Sequence, residues 1–403
     1  FEDARHVVEE QAARIPAPAA EFVDLLSAAG RVLAEAISGD RDLPPFPRST
    51  RDGYAVRSAD LSHIPTKLNV VGEIKAGESQ EKIPSISPGQ AVSIMTGAPV
   101  PEGADAVVMI EYTARDGEQI EIARNVQAGE NIVPRGAEAK QGTVLLERGR
   151  RLNDAGIALA ASVGKSRLNV FKRPIVAVLA TGDEIVDVGI IPGPTQIRNS
   201  NTYSLAVQAR DAGGDPVLLP VAPDEPKALR RLIEEGLKSD LLLLTGGVSM
   251  GRYDLVEQVL AEMHAHFFFT GAKIQPGRPV VFGQCGAGDG ALKYLFGLPG
   301  NPVSTMVTFE LFARPVLEAL AGQASRRLMF VHARLRSEIR VKPGLRRFLP
   351  AILSGEFEGS GVEQVAWQGS GDIAATARAN CYVVVPEDRD RIEKDEWIAV
   401  LMR

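Results

Sequence analysis

Histidine and cysteine, which build many metal centres and nucleophilic active sites, are scarce in this sequence. It contains five histidines and two cysteines in 403 residues. The cysteines, Cys285 and Cys381, lie far apart and outside any Cys-x-x-Cys motif, which excludes a cysteine-built zinc site and gives no disulfide framework. His264 and His266 could chelate a metal only weakly, and the other histidines show no ligand spacing. We therefore expect a cytoplasmic protein in a reducing compartment.

Long apolar runs and common catalytic motifs are absent as well. The longest apolar segments, such as Ile175–Ala180 and Leu241–Leu244, are far too short to span a bilayer. There is no Walker A sequence and no Gly-x-Ser-x-Gly motif. The 45 basic and 51 acidic residues are mixed along the chain, so neither nucleic acid nor a membrane is indicated as a partner. The chemistry must therefore use carboxylates, cations and backbone donors.

The composition is that of an ordinary globular protein, and the length allows two or more domains. Hydrophobic residues make up 45% of the chain and charged residues 24%. Residues 1–37 are predicted to be helical, with an end at Gly39. Residues 42–150 contain short β-branched runs between glycine and proline turns, which is typical of a small all-β lobe. The helical stretch Asn153–Val163 is expected to join the N-terminal helix in a linking domain.

Strands and helices alternate over residues 174–321. The continuous apolar strands Ile175–Leu179 and Leu241–Leu244 are typical of a sheet covered on both faces. Helical patterns between these strands predict a doubly wound, mostly parallel α/β sheet. The last segment, residues 330–403, returns to short strands and turns, which predicts a small terminal β-domain.

Three glycine-rich loops follow predicted strands of the α/β region. They are TGDE (Thr181–Glu184), TGGVSMGRYD (Thr245–Asp254) and PGNP (Pro299–Pro302). Because ligands bind beyond the carboxyl ends of the strands, all three would line one site. Backbone N–H groups at helix N-termini favour phosphates, whereas the carboxylates of Glu184 and Asp254 would repel them unless Mg²⁺ intervenes. A single loop is explained as well by a tight turn with a helix-capping acid, but three at one edge favour a phosphate–Mg²⁺ site.

Two further stretches carry candidate functional side chains. Lys273 and Arg278 are the basic residues of a segment that ends in Pro-Gly-Arg-Pro. This rigid loop could aim Arg278 at an anion or could simply expose a solvated charge. Asp52-Gly53 forms a sharp turn after a proline-rich stretch. That turn is either a linker or a means of presenting the Asp52 carboxylate to a neighbouring domain.

Taken together, these stretches resemble the molybdopterin molybdenumtransferase family, the cofactor-inserting enzymes related to the C-terminal domain of gephyrin. The matching motifs occur in the family's order and cover nearly the whole chain. Each could arise by chance, but the ordered set is highly specific. The motifs are DGYAV (Asp52–Val56), IMTGAPVPEGADAVV (Ile94–Val108), ATGDEIV (Ala180–Val186), TGGVSMG with a following YD, IQPGRPVVFG (Ile274–Gly283) and FGLPGNPVS (Phe296–Ser304).

The resemblance implies a multidomain fold and a specific reaction. It implies a discontinuous linking domain (1–41 and 145–173), a β-lobe (42–144), a molybdopterin-binding α/β domain (174–324) and a C-terminal β-barrel (325–403). It also implies a homodimer in which each cleft combines both subunits, and it suggests the molybdopterin adenylyltransferase as a further partner. The family reaction takes adenylylated molybdopterin and molybdate, releases AMP with Mg²⁺ assistance, and leaves molybdenum on the dithiolene sulfurs.

The resemblance also carries functional roles onto individual positions. Asp52, Thr96, Glu184 and Asp254 match catalytic positions, with Glu184, Asp224 and Asp254 as the candidate Mg²⁺ ligands. Cofactor binding is assigned to residues of the loops and of the basic segment, together with a serine near the C-terminus. These residues are Thr181, Gly182, Asp183, Gly246, Gly247, Ser249, Pro299, Gly300, Asn301, Pro302, Lys273, Arg278 and Ser370.

Five places depart from the family pattern, and they bear on the handling of anions and metal. They are Glu138 and Arg252, where other residues are usual, Gln275 in place of a basic residue, Leu345 in place of an arginine, and Ser49-Thr50-Arg51 in place of the more usual Ser-Ala-Met. The departures leave open a catalytically impaired molybdopterin-binding scaffold, and the sequence does not separate molybdate from tungstate. A different hydrolase or nucleotidyltransferase on the same α/β domain is a weaker alternative, because the motifs extend over the other domains.

Overall fold

A computed structural model describes residues 1–247, 255–287, 290–324, 327–356 and 359–402. The chain divides into two compact units. The first comprises Phe1–Ala34, Gly149–Leu152 and Leu168–Arg403, and the second comprises Glu35–Arg148 and Asn153–Arg167. None of the helices in these described ranges is long and apolar enough to cross a membrane.

The first unit contains the predicted doubly wound sheet. The first four of its six strands are parallel, and the last two are antiparallel to their neighbours. Successive residues of one strand point to opposite faces: Val176 and Val178 join one apolar cluster, and Ala177 and Leu179 join another. The prediction of a mostly parallel sheet is confirmed. The strands, in spatial order, are Asp215–Leu218, Ile175–Ala180, Leu241–Thr245, Leu292–Leu298, Val281–Gly286 and His266–Phe269.

Helices cover both faces of this sheet. Asn201–Asp211 and Pro302–Thr308 contribute to the cluster on one face. Pro226–Gly236 and Leu255–Glu262 contribute to the cluster on the other face. After Pro302–Thr308 the chain continues through a π-helical turn, Phe309–Ala313, into the helix Arg314–Leu320. The N-terminal helix, Glu2–Ala13, packs against this last segment.

The C-terminal region of the first unit is a closed five-stranded barrel. Closure arises because Arg346–Ser354 pairs with two neighbours, Gly361–Gln364 and Cys381–Val385. Buried apolar residues such as Leu349 and Val383 belong to the same core cluster. The predicted C-terminal barrel is confirmed. The five strands are Phe330–Leu335, Arg346–Ser354, Gly361–Gln364, Cys381–Val385 and Trp397–Met402; beside them lie the short strands Ile274–Gln275, Ile339–Arg340 and Arg391–Ile392 and the helix Ile373–Arg378.

The second unit is the predicted β-lobe. Its six-stranded sheet has one apolar cluster around Tyr54 and Val108 and another around Ala55 and Val107, so both faces of the sheet are covered. The strands, in spatial order, are Ala106–Met109, Gly53–Val56, Gln90–Ile94, Thr66–Ile74, Gln119–Ile122 and Thr113–Asp116. Short pairs (Arg48–Ser49 with Ile132–Val133, and Ile37–Ser38 with Val144–Leu146) and the helix Asp154–Ser162 complete this unit.

The prediction of one helix over residues 1–37 is wrong. The helix ends at Ala13, before Pro16 and Pro18, which cannot continue it. Residues Ala20–Asp24 then form a strand that pairs with Arg167–Phe171. Farther along, Val32 and Leu33 are buried where the chain forms strand-like bridges. The bridges join Val32 to Arg151 and Leu33 to Val170.

The two helices expected to share a linking domain fall in different compact units. Glu2–Ala13 belongs to the first unit and Asp154–Ser162 to the second. The boundaries of the four-domain scheme stay a prediction.

Candidate active site

A cleft of about 880 Å³ opens at the carboxyl edge of the parallel strands in the first unit. The described parts of all three predicted loops line it, as does the start of the helix Asn201–Asp211. Gly371 and Ile373 of the C-terminal region contribute to the same wall. The location agrees with the rule that ligands of open α/β sheets bind beyond the strand ends. The predicted site residues that line the cleft are Thr181, Gly182, Glu184, Asp224, Gly246, Gly247, Pro299, Gly300, Asn301 and Pro302.

The glycines of the second loop are required by contacts between the loops. Gly246 and Gly247 have φ angles of 94° and 62°, which residues with a Cβ rarely adopt. A Cβ on Gly246 would clash with the carbonyl oxygen of Thr181, and one on Gly247 would lie 2.7 Å from a methyl of Val256. A Cβ on Gly300 would lie 3.5 Å from the Gly246 Cα. The three loops therefore form one closely packed wall of the cleft.

Asn201 joins the loops through its side-chain amide. Its Nδ2 donates to the carbonyl oxygen of Gly300 at 2.8 Å and to Thr245 Oγ1 at 2.9 Å. Thr245 Oγ1 in turn donates to the carbonyl oxygen of Pro299 at 3.2 Å. The Asn201 Oδ1 is buried and accepts no hydrogen bond from the described part of the chain. Asn201 is not among the predicted site residues, because no local motif marks these contacts.

Three carboxylates at this edge of the sheet have different roles: one stabilises the first loop, and two line the cleft. Asp183 Oδ1 accepts a hydrogen bond from the Asp224 backbone N–H at 3.0 Å, and Asp224 Oδ1 accepts one from Thr181 Oγ1, also at 3.0 Å. Asp183 therefore braces the loop, whereas Glu184 and Asp224 line the cleft. No three acidic, histidine or cysteine side chains within the described ranges lie close enough to hold a metal by themselves. Asp254, the third predicted metal ligand, lies outside the described residues, as do Ser249 and Arg252.

Pro302 is the first residue of a helix, and one N–H group at its N-terminus already has a partner within the protein. Asn301 is the N-cap residue, but its side chain makes no capping hydrogen bond. The N–H of Val303 donates at 3.0 Å to the backbone carbonyl of Ser370. Ser370 thus joins the C-terminal region to the third loop through its main chain. Asn301 is exposed and lines the cleft.

The predicted basic residues do not line the cleft. Lys273 and Arg278 are both exposed, and Arg278 uses its carbonyl oxygen to accept from Ala272 and Val280. A contact of either residue with a bound anion stays a prediction. Arg347 is a residue that sequence reasoning passed over. It pairs in register with Gln275 and donates through Nη1 to the carbonyl oxygen of Leu345 at 3.2 Å, so it lies beside two of the departures.

Asp52 and Thr96 meet in the second unit. The Thr96 N–H and Oγ1 both donate to Asp52 Oδ1, at 2.7 and 2.9 Å. These two bonds, the backbone one first, hold the pKa of the Asp52 carboxyl below its usual range. Met95 and Ile110, next to these residues, are exposed. An ionised carboxylate in fixed orientation is therefore presented to solvent beside apolar side chains.

The departure at Glu138 also lies in the second unit. Its carboxylate accepts from Arg48 Nη2 at 2.9 Å in an exposed ion pair. The longer side chain is thus used in a surface contact, which contributes little to stability.

The amino-acid sequence is similar to molybdopterin molybdenumtransferases over almost its whole length. A molybdopterin molybdenumtransferase from Bacillus subtilis is 34% identical over 391 residues, which cover 95% of this chain and 89% of the relative. One from Nostoc is 34% identical over 392 residues, covering 94% of this chain and 88% of the relative. The chain belongs to the molybdopterin molybdenumtransferase family. The resemblance and the enzyme class predicted from the motifs are confirmed.

The regions of the family and its solved structures agree with this assignment. Residues 1–164 match the MoeA N-terminal region (domain I and II), residues 177–319 a probable molybdopterin binding domain, and residues 332–402 the MoeA C-terminal region (domain IV). A crystal structure of the molybdopterin biosynthesis MoeA protein from Pyrococcus horikoshii has a TM-score of 0.71 and 32% identity, covering 100% of this chain and 98% of the other. A second structure from that organism has a TM-score of 0.79 and 28% identity, covering 100% and 99%. The predicted multidomain fold is confirmed.

Proposed function

We propose that this chain inserts molybdenum from molybdate into adenylylated molybdopterin and releases AMP. The observation that carries the proposal is the cleft in which the three loops converge with the carboxylates of Glu184 and Asp224. A pterin joined to a nucleotide by a pyrophosphate is long and anionic, and a cleft of about 880 Å³ offers room for a ligand of that size. The buried Oδ1 of Asn201, which has no partner among the described residues, would accept a hydrogen bond from an N–H of the pterin.

We propose that Mg²⁺ binds between the carboxylates and the pyrophosphate and offsets the repulsion between them. Glu184 and Asp224 would hold it, and phosphate oxygens and water would complete its shell. One or two carboxylates suffice for such a site, so the lack of a three-carboxylate cluster in the described residues does not conflict with it. When bound, the ion supplies charge stabilisation at the phosphate oxygens. Glu184 and Asp224 orient it, and the glycines of the loops leave space for the phosphates.

Arg347 is proposed as a contact for the oxyanion. It is 8% exposed and forms no ion pair with any residue in the described ranges, and burial lowers the pKa of its guanidinium. A buried cation without a carboxylate partner is costly, and a bound anion would relieve that cost. Arg347 would thereby take the place of the arginine that is usual in the family at the position of Leu345.

We further propose a homodimer in which Asp52 serves the partner's cleft. Support comes from the exposed apolar residues Met95 and Ile110 beside an oriented, ionised carboxylate. Such a surface suits an apolar contact around a polar centre. The molybdopterin adenylyltransferase is a candidate partner that would deliver the substrate. Two buried free thiols, Cys285 and Cys381, suit the cytoplasm.

The activity is tested by incubating the protein with adenylylated molybdopterin, molybdate and Mg²⁺ and measuring AMP. Release that requires both molybdate and Mg²⁺ supports the proposal. No AMP above a blank without protein, together with retained pterin binding, would instead establish the scaffold hypothesis. Metal analysis of the product formed with molybdate and tungstate in competition identifies the inserted metal.

Thr96→Val is expected to shift the acid limb of the pH–rate profile to higher pH. The Thr96 hydroxyl donates to Asp52 and lowers the pKa of its carboxyl, so its removal raises that pKa. If Asp52 acts as a carboxylate, activity is present above this pKa and lost as the pH falls through it. The variant would therefore lose activity at a higher pH than the wild type. AMP release rates across the pH range measure this, and an unshifted acid limb would mean that Asp52 does not set it.

Asn301→Ala is expected to weaken pterin binding about tenfold without lowering the melting temperature. Asn301 lines the cleft and its side chain caps no N–H group, so its loss removes a ligand contact but no helix cap. Asn153→Ala is the matched control, because the Asn153 side chain accepts from the Gly156 N–H at 3.0 Å as a true cap. That control should lose about 1 kcal/mol of stability and keep pterin affinity. The reverse pattern would contradict the assignment.

A further inference from the structure

The helix segment that follows the third loop contains a buried charge cluster. Arg314 donates from Nε to Glu310 Oε2 at 2.6 Å and lies 3.5 Å from Glu318 Oε1. Glu310 and Glu318 are only 8% and 7% exposed. Burial alone would lower the pKa of Arg314, but both carboxylates outweigh it and keep that pKa raised. Glu310 lies in the π-helical turn Phe309–Ala313, a distortion that is common near functional sites.

Gln208 connects this cluster to the helix Asn201–Asp211. Its Nε2 donates to Glu310 Oε1 at 2.7 Å and to the Met306 carbonyl oxygen at 3.1 Å. Its Oε1 is buried and accepts no hydrogen bond from any described residue. A buried amide with an acceptor that has no donor reduces the stability gained by packing the two helices. An apolar side chain of similar size would pack there without this cost.

The N-terminal end of the helix Asn201–Asp211 forms a hydrogen bond with the third loop. Asn201, seven residues or about two turns before Gln208, donates to the Gly300 carbonyl oxygen. Two side chains of one helix therefore hold the segment from Gly300 to Glu310. The first contact is within the cleft and the second lies behind it. The Gln208 contacts fix the position and rotation of the helix on which Asn201 lies.

We propose that Gln208 and Glu310 are positioning residues for the pterin cleft. They fix the helix Asn201–Asp211 against Pro302–Ala313, so that Asn201 stays bonded to Gly300 and the third loop keeps its place. Arg314 holds the Glu310 carboxylate in orientation for Gln208. Loss of the Gln208 contacts loosens the loop and lowers affinity for the pterin, while the reacting groups are unchanged. The effect on affinity rests on the proposed function, whereas the effect on the loop does not.

Gln208→Leu tests the proposal, with hydrogen–deuterium exchange of residues 296–306 as the first readout. We expect exchange there to become about tenfold faster. The melting temperature should fall modestly, because leucine fills the space but removes the Gln208 donor from the buried Glu310 Oε1. The dissociation constant for adenylylated molybdopterin should rise about tenfold, with kcat at saturating substrate within about twofold of wild type. A role in packing alone would not produce this division between affinity and kcat.

Gln323→Leu is the control, because Gln323 also carries a buried Oε1 that has no partner among the described residues. Unlike Gln208, its side chain does not bridge the helix Asn201–Asp211 to Pro302–Ala313. It should leave exchange of the loop unchanged. Wild-type exchange in Gln208→Leu would overturn the proposal, as would equally fast exchange in both variants. If the wild-type protein does not bind the pterin, the proposed function fails, and exchange of the loop still decides the positioning role.

Discussion

Asp52→Ala is expected to lower AMP release at least about a hundredfold while leaving pterin binding intact. The cleft that would bind the pterin lies in the first unit, and Asp52 lies in the second. Its carboxylate is held by both donors of Thr96, and this lowers its pKa, so it is ionised at neutral pH. Its removal would delete a charge from the reaction centre without changing the pterin site. Single-turnover AMP release and equilibrium pterin binding measure the two effects separately.

Asp105→Ala is the matched control. Asp105 is also a carboxylate of the second unit, and it accepts from the N–H and the Oγ of Ser58 at 2.6 and 2.7 Å. Its removal should leave AMP release near the wild-type rate. Unchanged AMP release in Asp52→Ala would refute the catalytic assignment. Equal losses in both variants would point to a general loosening of the β-lobe.

Mixing two inactive variants extends this test to the shared cleft. Asp52→Ala alters the second unit and Asp224→Ala alters the first. Each variant lacks one proposed functional carboxylate, so each homodimer should be inactive. If Asp52 acts on the partner's cleft, a heterodimer contains one cleft with both residues intact. Activity should then appear after the variants are unfolded and refolded together. Continued inactivity, with heterodimers isolated through an affinity tag carried by only one of the two variants, would mean that Asp52 serves its own subunit's cleft.

The central sheet and its site could be predicted because their signals are local. Ile175–Ala180 and Leu241–Thr245 are short apolar runs bounded by turns, and burial on both faces requires that composition. Once the strands are parallel, topology alone brings their carboxyl ends to one edge. Thr181–Glu184 and Pro299–Pro302 therefore had to meet. The β-lobe strands were recognisable for the same reason, from short apolar runs between turns.

Features that depend on contacts between distant segments could not be predicted in this way. Asn201 and Gly300 are 99 residues apart, and nothing local marks their hydrogen bond. Asp183 was assigned to the pterin from its motif, whereas its carboxylate accepts from the Asp224 N–H. Leu33 falls within the segment predicted to be helical, but it forms a strand-like bridge to Val170. In each case the tertiary partner decides the role and the neighbouring sequence does not.

Gly246→Ala is expected to abolish measurable pterin binding and to destabilise the first unit. Its φ of 94° costs an alanine roughly 1–3 kcal/mol, and the added Cβ would clash with the Thr181 carbonyl oxygen. To relieve the clash, the first two loops must separate. Thr181 also donates to Asp224, so this movement would displace a proposed Mg²⁺ ligand as well. We expect pterin affinity to fall at least about a hundredfold, as measured by equilibrium binding, with a lower melting temperature.

Gly286→Ala separates this effect from the general cost of replacing a glycine. Gly286 ends the strand Val281–Gly286 of the same sheet, and its φ is not in the left-handed region. Apart from its chain neighbours, no described residue has a heavy atom within 4 Å of the added Cβ. Alanine there should leave both binding and stability near the wild-type values. If Gly246→Ala bound the pterin as tightly as Gly286→Ala, close packing of the first two loops would be unnecessary for binding. The pterin would then have to contact another part of the cleft, and the third loop with Asn201 would be the next region to test.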